Sequence, residues 1–295
     1  MIKTTKAAEG MIYLEDGTVF KGKSFGAVKT AVGELVFNTV MTGYQELLTD
    51  PTYKGQIINM TYPIIGNYGI SDVDNESDNI HAFGLVVKDV CDEPSNSMCT
   101  KTLDQWMKEH DVPGVAGVDT RQITKKIRNN GTIKCLISTE GISISEAKKL
   151  CAEAELKEDW MKETAVAEKT ILGPTAKTAE EPLDIAVIDF GIKQHIVDFL
   201  REKNCKLTLY PYGTEAEEII ADDPDGIFLT NGPGNPEDGG NKPGDDAGGP
   251  TDGSSGSDDG TDTGDGTPLA AIAAVMIAAL GGAAAVLFGR RRRTE

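Results

Sequence analysis

The second half of the chain is organised around the stretch Leu183-Asp184-Ile185-Ala186-Val187-Ile188-Asp189-Phe190. A nearly continuous apolar run of this length is typical of a strand that is covered on both faces. The flanking pattern alternates, and it predicts helices over Lys193–Glu202 and Glu215–Ile220 and strands over Lys206–Tyr210 and Gly226–Thr230. This alternation predicts the opening of a doubly wound parallel sheet. Residues 183–238 supply three such strands, whereas open sheets of this class usually have about five, so we expect a truncated domain.

The first 158 residues have the pattern of a separate, β-rich α/β domain. Strands are predicted from apolar alternation and helices from apolar spacing behind a capping Ser, Thr or Asp. The predicted strands are two short ones around Asp16-Gly17, then Gly33–Thr39, Gly55–Thr61 and Ala82–Val87. The predicted helices are Thr102–Lys108, capped by Thr100 or Thr102, then Asp119–Asn129, and Ser143–Cys151, capped by Ser143 or Ser145. Residues 159–182 are polar and contain Pro174 and Pro182, which predicts a connector.

Beyond residue 238 the composition changes abruptly. Residues 239–266 are mostly Gly, Asp, Ser, Thr and Pro without periodicity, a pattern typical of a disordered spacer. Residues 267–289 contain the uncharged stretch Leu269–Phe288, which is long enough to span a bilayer as one transmembrane helix. A buried Ala-rich helix would show the same pattern. Residues 290–295 form a basic tail with Arg290–Arg293, and such clusters mark the cytoplasmic side of a span.

The tail also has the layout of a known anchoring signal. Thr261–Asp265, the apolar stretch and the Arg cluster together resemble the cell-wall sorting signal of Gram-positive surface proteins. That signal has Leu-Pro-x-Thr-Gly, and here only Thr263-Gly264 is present. The resemblance implies a surface anchor, and a plain transmembrane helix is the alternative.

Charge and cysteine content limit the binding partners and the cellular compartment that can be expected for residues 1–238, called the body here. The net charge is −18, and residues 239–295 account for only −3 of it, so an acidic surface is expected on the body. An acidic body argues against binding to nucleic-acid phosphates. The five cysteines have neither disulfide-framework nor zinc spacing, so we expect reduced, buried thiols. No apolar signal segment follows Met1, which predicts a cytoplasmic body.

Two polar stretches are candidates for a binding site. Residues 230–236 form a Gly- and Pro-rich loop directly after a predicted buried strand. Ligands of open α/β sheets bind beyond the carboxyl ends of the strands, where glycines let backbone amides approach closely; an ordinary turn is the alternative. Residues 38–53 are dense in polar and aromatic side chains, and a capped helix with a turn would explain them equally well.

Residues 1–238 contain a series of short polar and glycine-containing motifs. They are Phe37-Asn38-Thr39, Met41–Glu46, Thr49-Asp50-Pro51, Thr61-Tyr62-Pro63, Ile65-Gly66-Asn67, Asp119-Thr120-Arg121 with Thr124, Asp189-Phe190-Gly191 with Lys193, and Asp225–Leu229 leading into Asn231-Gly232-Pro233-Gly234. Taken in order, these motifs resemble the small (glutaminase) subunit of glutamine-hydrolysing carbamoyl-phosphate synthase. The resemblance implies that residues 1–158 pack against a large synthetase subunit. It implies that residues 183–238 begin a class I glutamine amidotransferase domain, which releases ammonia from glutamine.

The resemblance also implies site residues and partners. Thr52 occupies the position of a glutamine-contacting Ser, and Gly232 and Gly234 match the two glycines that hold glutamine through their backbone. No cofactor is implied for this subunit, because ATP and Mg²⁺ belong to the large subunit. The product of the assembly is carbamoyl phosphate for pyrimidine and arginine synthesis.

The catalytic triad of the family has no counterpart in the sequence. The family's nucleophile lies in a Gly-x-Cys-x-Gly-His turn after the loop that matches residues 231–234, where the turn activates the thiolate. Here all five cysteines and the last histidine, His195, precede that loop, and His81, His110 and His195 are each isolated along the sequence. We therefore expect no glutamine hydrolysis by this chain alone. The alternatives are a docking fragment for the large subunit and a membrane- or surface-anchored fusion.

Overall fold

The computed structural model describes residues 9–157 and 160–234. In the barrel, as we call residues 9–153, the strands are β1 Glu9–Leu14, β2 Val19–Gly26, β3 Thr30–Asn38, β4 Gln56–Met60, β5 Ile64–Ile65, β6 Gly84–Val87, β7 Asp89–Val90, β8 Pro113–Ala116 and β9 Ile133–Ser138. Its helices are α1 Tyr44–Thr49, α2 Leu103–Glu109, α3 Thr120–Asn130 and α4 Ile144–Glu153, with a 3-10 helix at Pro51–Tyr53.

Seven of these strands close into a barrel in the order β1-β2-β8-β6-β4-β3-β9. The neighbours β3–β4, β4–β6 and β6–β8 are parallel and the other pairs antiparallel. One buried apolar cluster takes at least one side chain from each of the seven strands: Ile12, Leu14, Phe20, Leu35, Ile57, Val86, Val115, Ile133, Cys135 and Ile137. Closure therefore gives the first domain a filled interior without an exposed strand edge.

The helices of the barrel begin at capping residues that are visible in the sequence. The Thr102 hydroxyl accepts a hydrogen bond from the Gln105 N–H, and Ser143 does the same for Glu146. Of the alternatives left open above, Thr102 and Ser143 are therefore the caps. Asp119 caps α3 through the Gln122 N–H at 2.9 Å.

The second sheet, as we call strands β10–β13, has the order β10-β12-β11-β13. Its elements are α5 Met161–Thr164, β10 Thr170–Leu172, β11 Leu183–Ile188, α6 Gln194–Glu202, β12 Cys205–Tyr210, α7 Ala216–Ala221 and β13 Gly226–Leu229. The strands β12, β11 and β13 are parallel. α6 packs on one face through Val197 and α7 on the other through Ile219, which agrees with the apolar pattern of Leu183–Phe190.

The segment predicted as a plain connector contributes a strand to this sheet. β10 pairs antiparallel with β12, from Thr170↔Leu209 to Leu172↔Leu207. The sheet therefore has four strands in the described residues and not the three expected. The strand escaped prediction because an edge strand is held by backbone hydrogen bonds on one side and needs little apolar sequence.

The predictions for the tail, at 239–266, 267–289 and 290–295, lie outside the described residues. None of the helices in residues 9–157 and 160–234 combines the length and the apolar character that a membrane crossing requires.

Candidate functional site

The first component of the candidate site is the Thr52 turn, residues 50–53. Asp50 caps the 3-10 helix: its Oδ1 accepts hydrogen bonds from the Thr52 N–H at 3.0 Å and from the Thr52 hydroxyl at 2.8 Å. The Asp50 side chain is only 5% exposed. A buried carboxylate with several donors holds its neighbours firmly, so the hydroxyl of Thr52 has a fixed position.

The second component is the Lys193 turn, residues 189–193, which follows β11. The buried carboxylate of Asp189 accepts hydrogen bonds from the N–H groups of Gly191 and Ile192 through Oδ1 and of Val166 through Oδ2, each at 2.8 Å. Gly191 has φ +131°, a backbone conformation that strongly favours glycine. The turn is therefore shaped by Asp189 and tied to the segment that leads from the barrel.

The third component is the Gly232 loop, residues 230–234, at the carboxyl end of β13. The Thr230 hydroxyl accepts the Phe190 N–H at 2.9 Å, which joins this loop to the Lys193 turn. A Cβ atom at Gly232 would lie 2.7 Å from the Cβ of Phe190, so a larger residue there would displace the loop. Gly232 and Gly234 thus lie beside the carboxyl end of the neighbouring parallel strand β11.

The Lys193 turn connects the two other components. A Cβ atom at Gly191 would lie 3.1 Å from the Cβ of Pro51, so the Thr52 turn lies against it. Lys193 Nζ is 2.6 Å from Asp50 Oδ2. Burial lowers the pKa of Lys193, but the hydrogen bond and charge of Asp50 outweigh it and the pKa is raised. The Thr52 turn and the Gly232 loop therefore both contact the Lys193 turn, and an ion pair joins Lys193 to Asp50.

The histidines and cysteines are distributed over several elements. His81 contacts Ser77, His110 contacts the Trp106 carbonyl, and His195 pairs with Glu76. The pairing with Glu76 differs from the isolated position that the sequence predicted for His195. Among residues 9–157 and 160–234, no group of His, Cys, Asp or Glu side chains is arranged to hold a metal ion.

All five cysteines are free thiols. Cys135, Cys151 and Cys205 are buried as expected, whereas Cys91 and Cys99 are only half-buried. Cys205 begins β12 and therefore lies at the amino ends of the parallel strands, whereas the Gly232 loop lies at their carboxyl ends. Burial raises the pKa of the Cys135 and Cys151 thiols, which makes them poor nucleophiles.

Two family models match the chain. The model described as carbamoyl-phosphate synthase small chain, CPSase domain, matches residues 12–137, and the model for glutamine amidotransferase class-I matches residues 186–245. In these two ranges the chain is similar to the carbamoyl phosphate synthase small-chain family. The two matches correspond to the barrel and the second sheet.

Curated relatives agree with this placement. The carbamoyl phosphate synthase small chain of Clostridium acetobutylicum is 50% identical over 229 residues, which are 78% of this chain and 64% of that protein. The small chains of Clostridium perfringens and Listeria monocytogenes are 44% and 43% identical, over 78% and 77% of this chain and 64% and 61% of theirs. The chain thus spans less than two thirds of the length of these relatives. A solved aminopeptidase from an Aneurinibacillus strain shares only 12% identity with it, at a TM-score of 0.28.

Several residues that shape the site lie outside the predicted set. Asp50 and Asp189 fix two of the turns, and each is an acidic residue next to an element end, which is a recognisable capping signal. Glu76 contacts α6 from a loop of the barrel. No local pattern marks Glu76, because its role depends on a partner 119 residues away along the chain.

Proposed function

We propose that this chain binds L-glutamine at Thr52, Gly232 and Gly234, as the substrate cradle of a carbamoyl phosphate synthase small chain. The observation that carries the proposal is that the Thr52 turn and the Gly232 loop both contact the Lys193 turn, the first at Gly191 and the second at Phe190. A threonine hydroxyl and glycine backbone groups offer polar contacts at close range, and the charged Lys193 suits a ligand with a carboxylate.

The proposal concerns the binding of glutamine and assigns no hydrolysis to this chain. In a complete small chain this cradle would hold glutamine while ammonia is released for a large subunit that makes carbamoyl phosphate. The sequence contains no Gly-x-Cys-x-Gly-His turn, so we propose that this chain binds glutamine without hydrolysing it. We further propose that it needs no cofactor of its own, ATP and Mg²⁺ belonging to the large subunit.

Isothermal titration of the full chain with L-glutamine tests the proposal. Thr52→Ala should weaken binding about fivefold to tenfold, the loss of one hydrogen bond to a charged or polar ligand, and Thr52→Ser should restore it. Thr178→Ala, an exposed threonine in the connector, is the matched control and should leave the affinity unchanged. Equal affinity for Thr52→Ala and the wild type would remove Thr52 from the site, and no heat at millimolar glutamine would refute the proposal.

A second candidate function is docking on the large subunit through the barrel. It is favoured by the separate family match over residues 12–137 and by the closed barrel, which is complete without the second sheet. Co-elution with a purified large subunit in size-exclusion chromatography would support docking. Separate elution at micromolar concentration would count against it.

The proposal has a separate part that concerns the tail. Residues 267–289 would anchor the chain in a membrane as a single span, with the body and Arg290–Arg293 on opposite sides of it. Cell fractionation of the full chain, with and without residues 267–289, tests this. Recovery of the full chain in the soluble fraction would end the anchor proposal.

A further inference from the structure

Helix α6 begins without a cap of its own. The side chain of its N-cap residue, Lys193, makes no capping hydrogen bond and pairs instead with Asp50. The first four N–H groups of a helix have no acceptor within the helix. The N-terminus of α6 therefore needs acceptors from another part of the molecule.

Glu76, in the loop between β5 and β6 of the barrel, supplies these acceptors. Its carbonyl oxygen accepts the Gln194 N–H at 2.8 Å, and its Oε2 accepts the His195 N–H at 3.2 Å. Its Oε1 lies 3.1 Å from His195 Nδ1. The Glu76 side chain is 11% exposed and the His195 side chain is 52% exposed, so the carboxylate is largely buried while the imidazole is open to water.

Glu76 is also attached to the element that carries Thr52. Its N–H donates to the Thr49 hydroxyl at 2.8 Å, and the Ser77 hydroxyl donates to the Thr49 carbonyl at 2.6 Å. Thr49 is buried and ends α1, one residue before Asp50. A displacement of the loop at Glu76 would therefore displace the Thr52 turn as well.

We propose that Glu76 is a positioning residue of the glutamine site, which sets Thr52 against Gly232 and Gly234 through the N-terminus of α6. The inference rests on the proposed function and adds the residue that fixes its geometry. The Asp50–Lys193 ion pair alone is one contact with a flexible lysine, about which the two turns could rotate. Glu76 adds three contacts with Gln194 and His195, at a place separate from the Asp50–Lys193 ion pair. Two separate attachments prevent the rotation that one ion pair would allow.

Hydrogen exchange and glutamine titration on full-chain variants test this role. Glu76→Ala removes both side-chain contacts, so we expect faster exchange at residues 194–197 and an affinity for L-glutamine weakened about tenfold, the value of a lost helix cap near 1.4 kcal/mol. Glu76→Gln keeps an acceptor for the His195 N–H and a donor for its imidazole, and should stay within about twofold of the wild type in affinity. Asp72→Ala removes an exposed carboxylate of the same loop and should change neither readout.

Glu76→Asp separates position from charge. It keeps the negative charge but is one methylene shorter, so we expect it to resemble Glu76→Ala and not Glu76→Gln. Normal behaviour of Glu76→Asp together with a loss in Glu76→Gln would assign a purely electrostatic role and overturn the proposal. Wild-type exchange at residues 194–197 in Glu76→Ala would also overturn it.

The exchange readout is independent of glutamine. If the wild type binds no glutamine, the proposed function fails. Faster exchange at residues 194–197 in Glu76→Ala would still show that Glu76 holds the N-terminus of α6. Exchange at Ile57 and Val86 in the barrel reports whether each variant is folded. If Glu76→Ala does not fold, Glu76→Gln and Glu76→Asp carry the test, and equal exchange in these two would contradict the proposal.

Discussion

The barrel and the second sheet bury their strands in different ways. The barrel closes on itself through β1 and β9, so that each of its seven strands has two neighbours and one cluster fills the interior. The second sheet is open, and in the described residues β13 pairs only with β11. On β13 the side chains of Ile227 and Leu229 are 48% and 54% exposed. The interior of the barrel is therefore enclosed by its own strands, whereas β13 leaves apolar side chains exposed at the edge of the second sheet.

This difference matters because the candidate site takes one part from each region. The Thr52 turn belongs to the barrel, and the Lys193 turn and Gly232 loop belong to the second sheet. Because local stability follows local burial, we expect faster amide exchange in residues 183–234 than in the barrel. The contacts from Asp50 and Glu76 therefore tie a less stable half of the site to a more stable half.

Core truncations in the two regions should have the largest effects. Leu85 in β6 and Leu207 in β12 are both fully buried, and truncating a buried leucine to alanine costs about 2–5 kcal/mol. Leu85→Ala should lower the free energy of unfolding of the barrel, and Leu207→Ala should lower only that of the second sheet. Native-state hydrogen exchange at Ile57 and Val86 and at Val187 and Leu209 measures the two separately.

The pair of variants is its own control, since the same substitution is made at equal burial. A common decrease at all four probes in both variants would show that the two regions unfold as one cooperative unit. The distinction between a closed and an open region would then have no energetic consequence.

Removal of the Asp189 carboxylate should have a smaller effect, confined to the second sheet. Asp189→Ala leaves the N–H groups of Val166, Gly191 and Ile192 without their acceptor. A buried donor left unsatisfied costs about 1–3 kcal/mol, so we expect a loss of about 2–3 kcal/mol at the second-sheet probes and none in the barrel. Urea titration with exchange detection measures both.

Asp184→Ala is the matched control, because Asp184 lies on β11, the strand that leads into Asp189. Asp184 forms a partly exposed ion pair with Lys206 at 2.8 Å, and such surface pairs contribute about 0–1 kcal/mol. A loss for Asp184→Ala as large as that for Asp189→Ala would mean that the Lys193 turn is not specially stabilised.

The sequence predicted the second sheet better than the barrel, for a physical reason. The strands β11, β12 and β13 alternate with helices and are rich in apolar residues, so the local pattern identifies them. β8 contains Pro113, Gly114 and Ala116, which have low strand propensity, and it is a strand because it pairs with β2 and β6. Barrel closure joins Met11 to Ser138, and no local pattern encodes a pairing at that separation.

The candidate site shows the same limit. Thr52, Gly232 and Gly234 were found because each lies in a motif that can be recognised along the chain. The contacts that bring them together, Asp50 with Lys193 and Glu76 with α6, join residues more than one hundred positions apart. Such contacts depend on the packing of the barrel against the second sheet, which the sequence alone did not supply.

The last effect we predict is an acid sensitivity of the barrel that comes from His81. Burial, with the nearby positive charge of Lys54, lowers the pKa of His81 from 6.5 to about 4, and Asp50 opposes this. His81 lies beside Ser77, at 2.9 Å from its hydroxyl, and its buried Nδ1 has no hydrogen-bond partner among the described residues. A proton there would be poorly accommodated in the folded state.

The sign follows from the two pKa values. Between pH 6.5 and about 4 the unfolded chain binds a proton at His81 that the folded chain does not. The free energy of unfolding therefore decreases as the pH falls through this range, and it levels off below the pKa of the folded state. The Asp16–Lys126 pair acts in another window, because the pKa of Asp16 is lowered to about 2. His81→Gln keeps a donor for Ser77 and should flatten the loss of barrel stability between pH 6.5 and 4.5 in urea titrations. Carboxylates that titrate in both proteins cancel in the difference, so parallel pH profiles for the variant and the wild type would show that His81 is not the sensitive group.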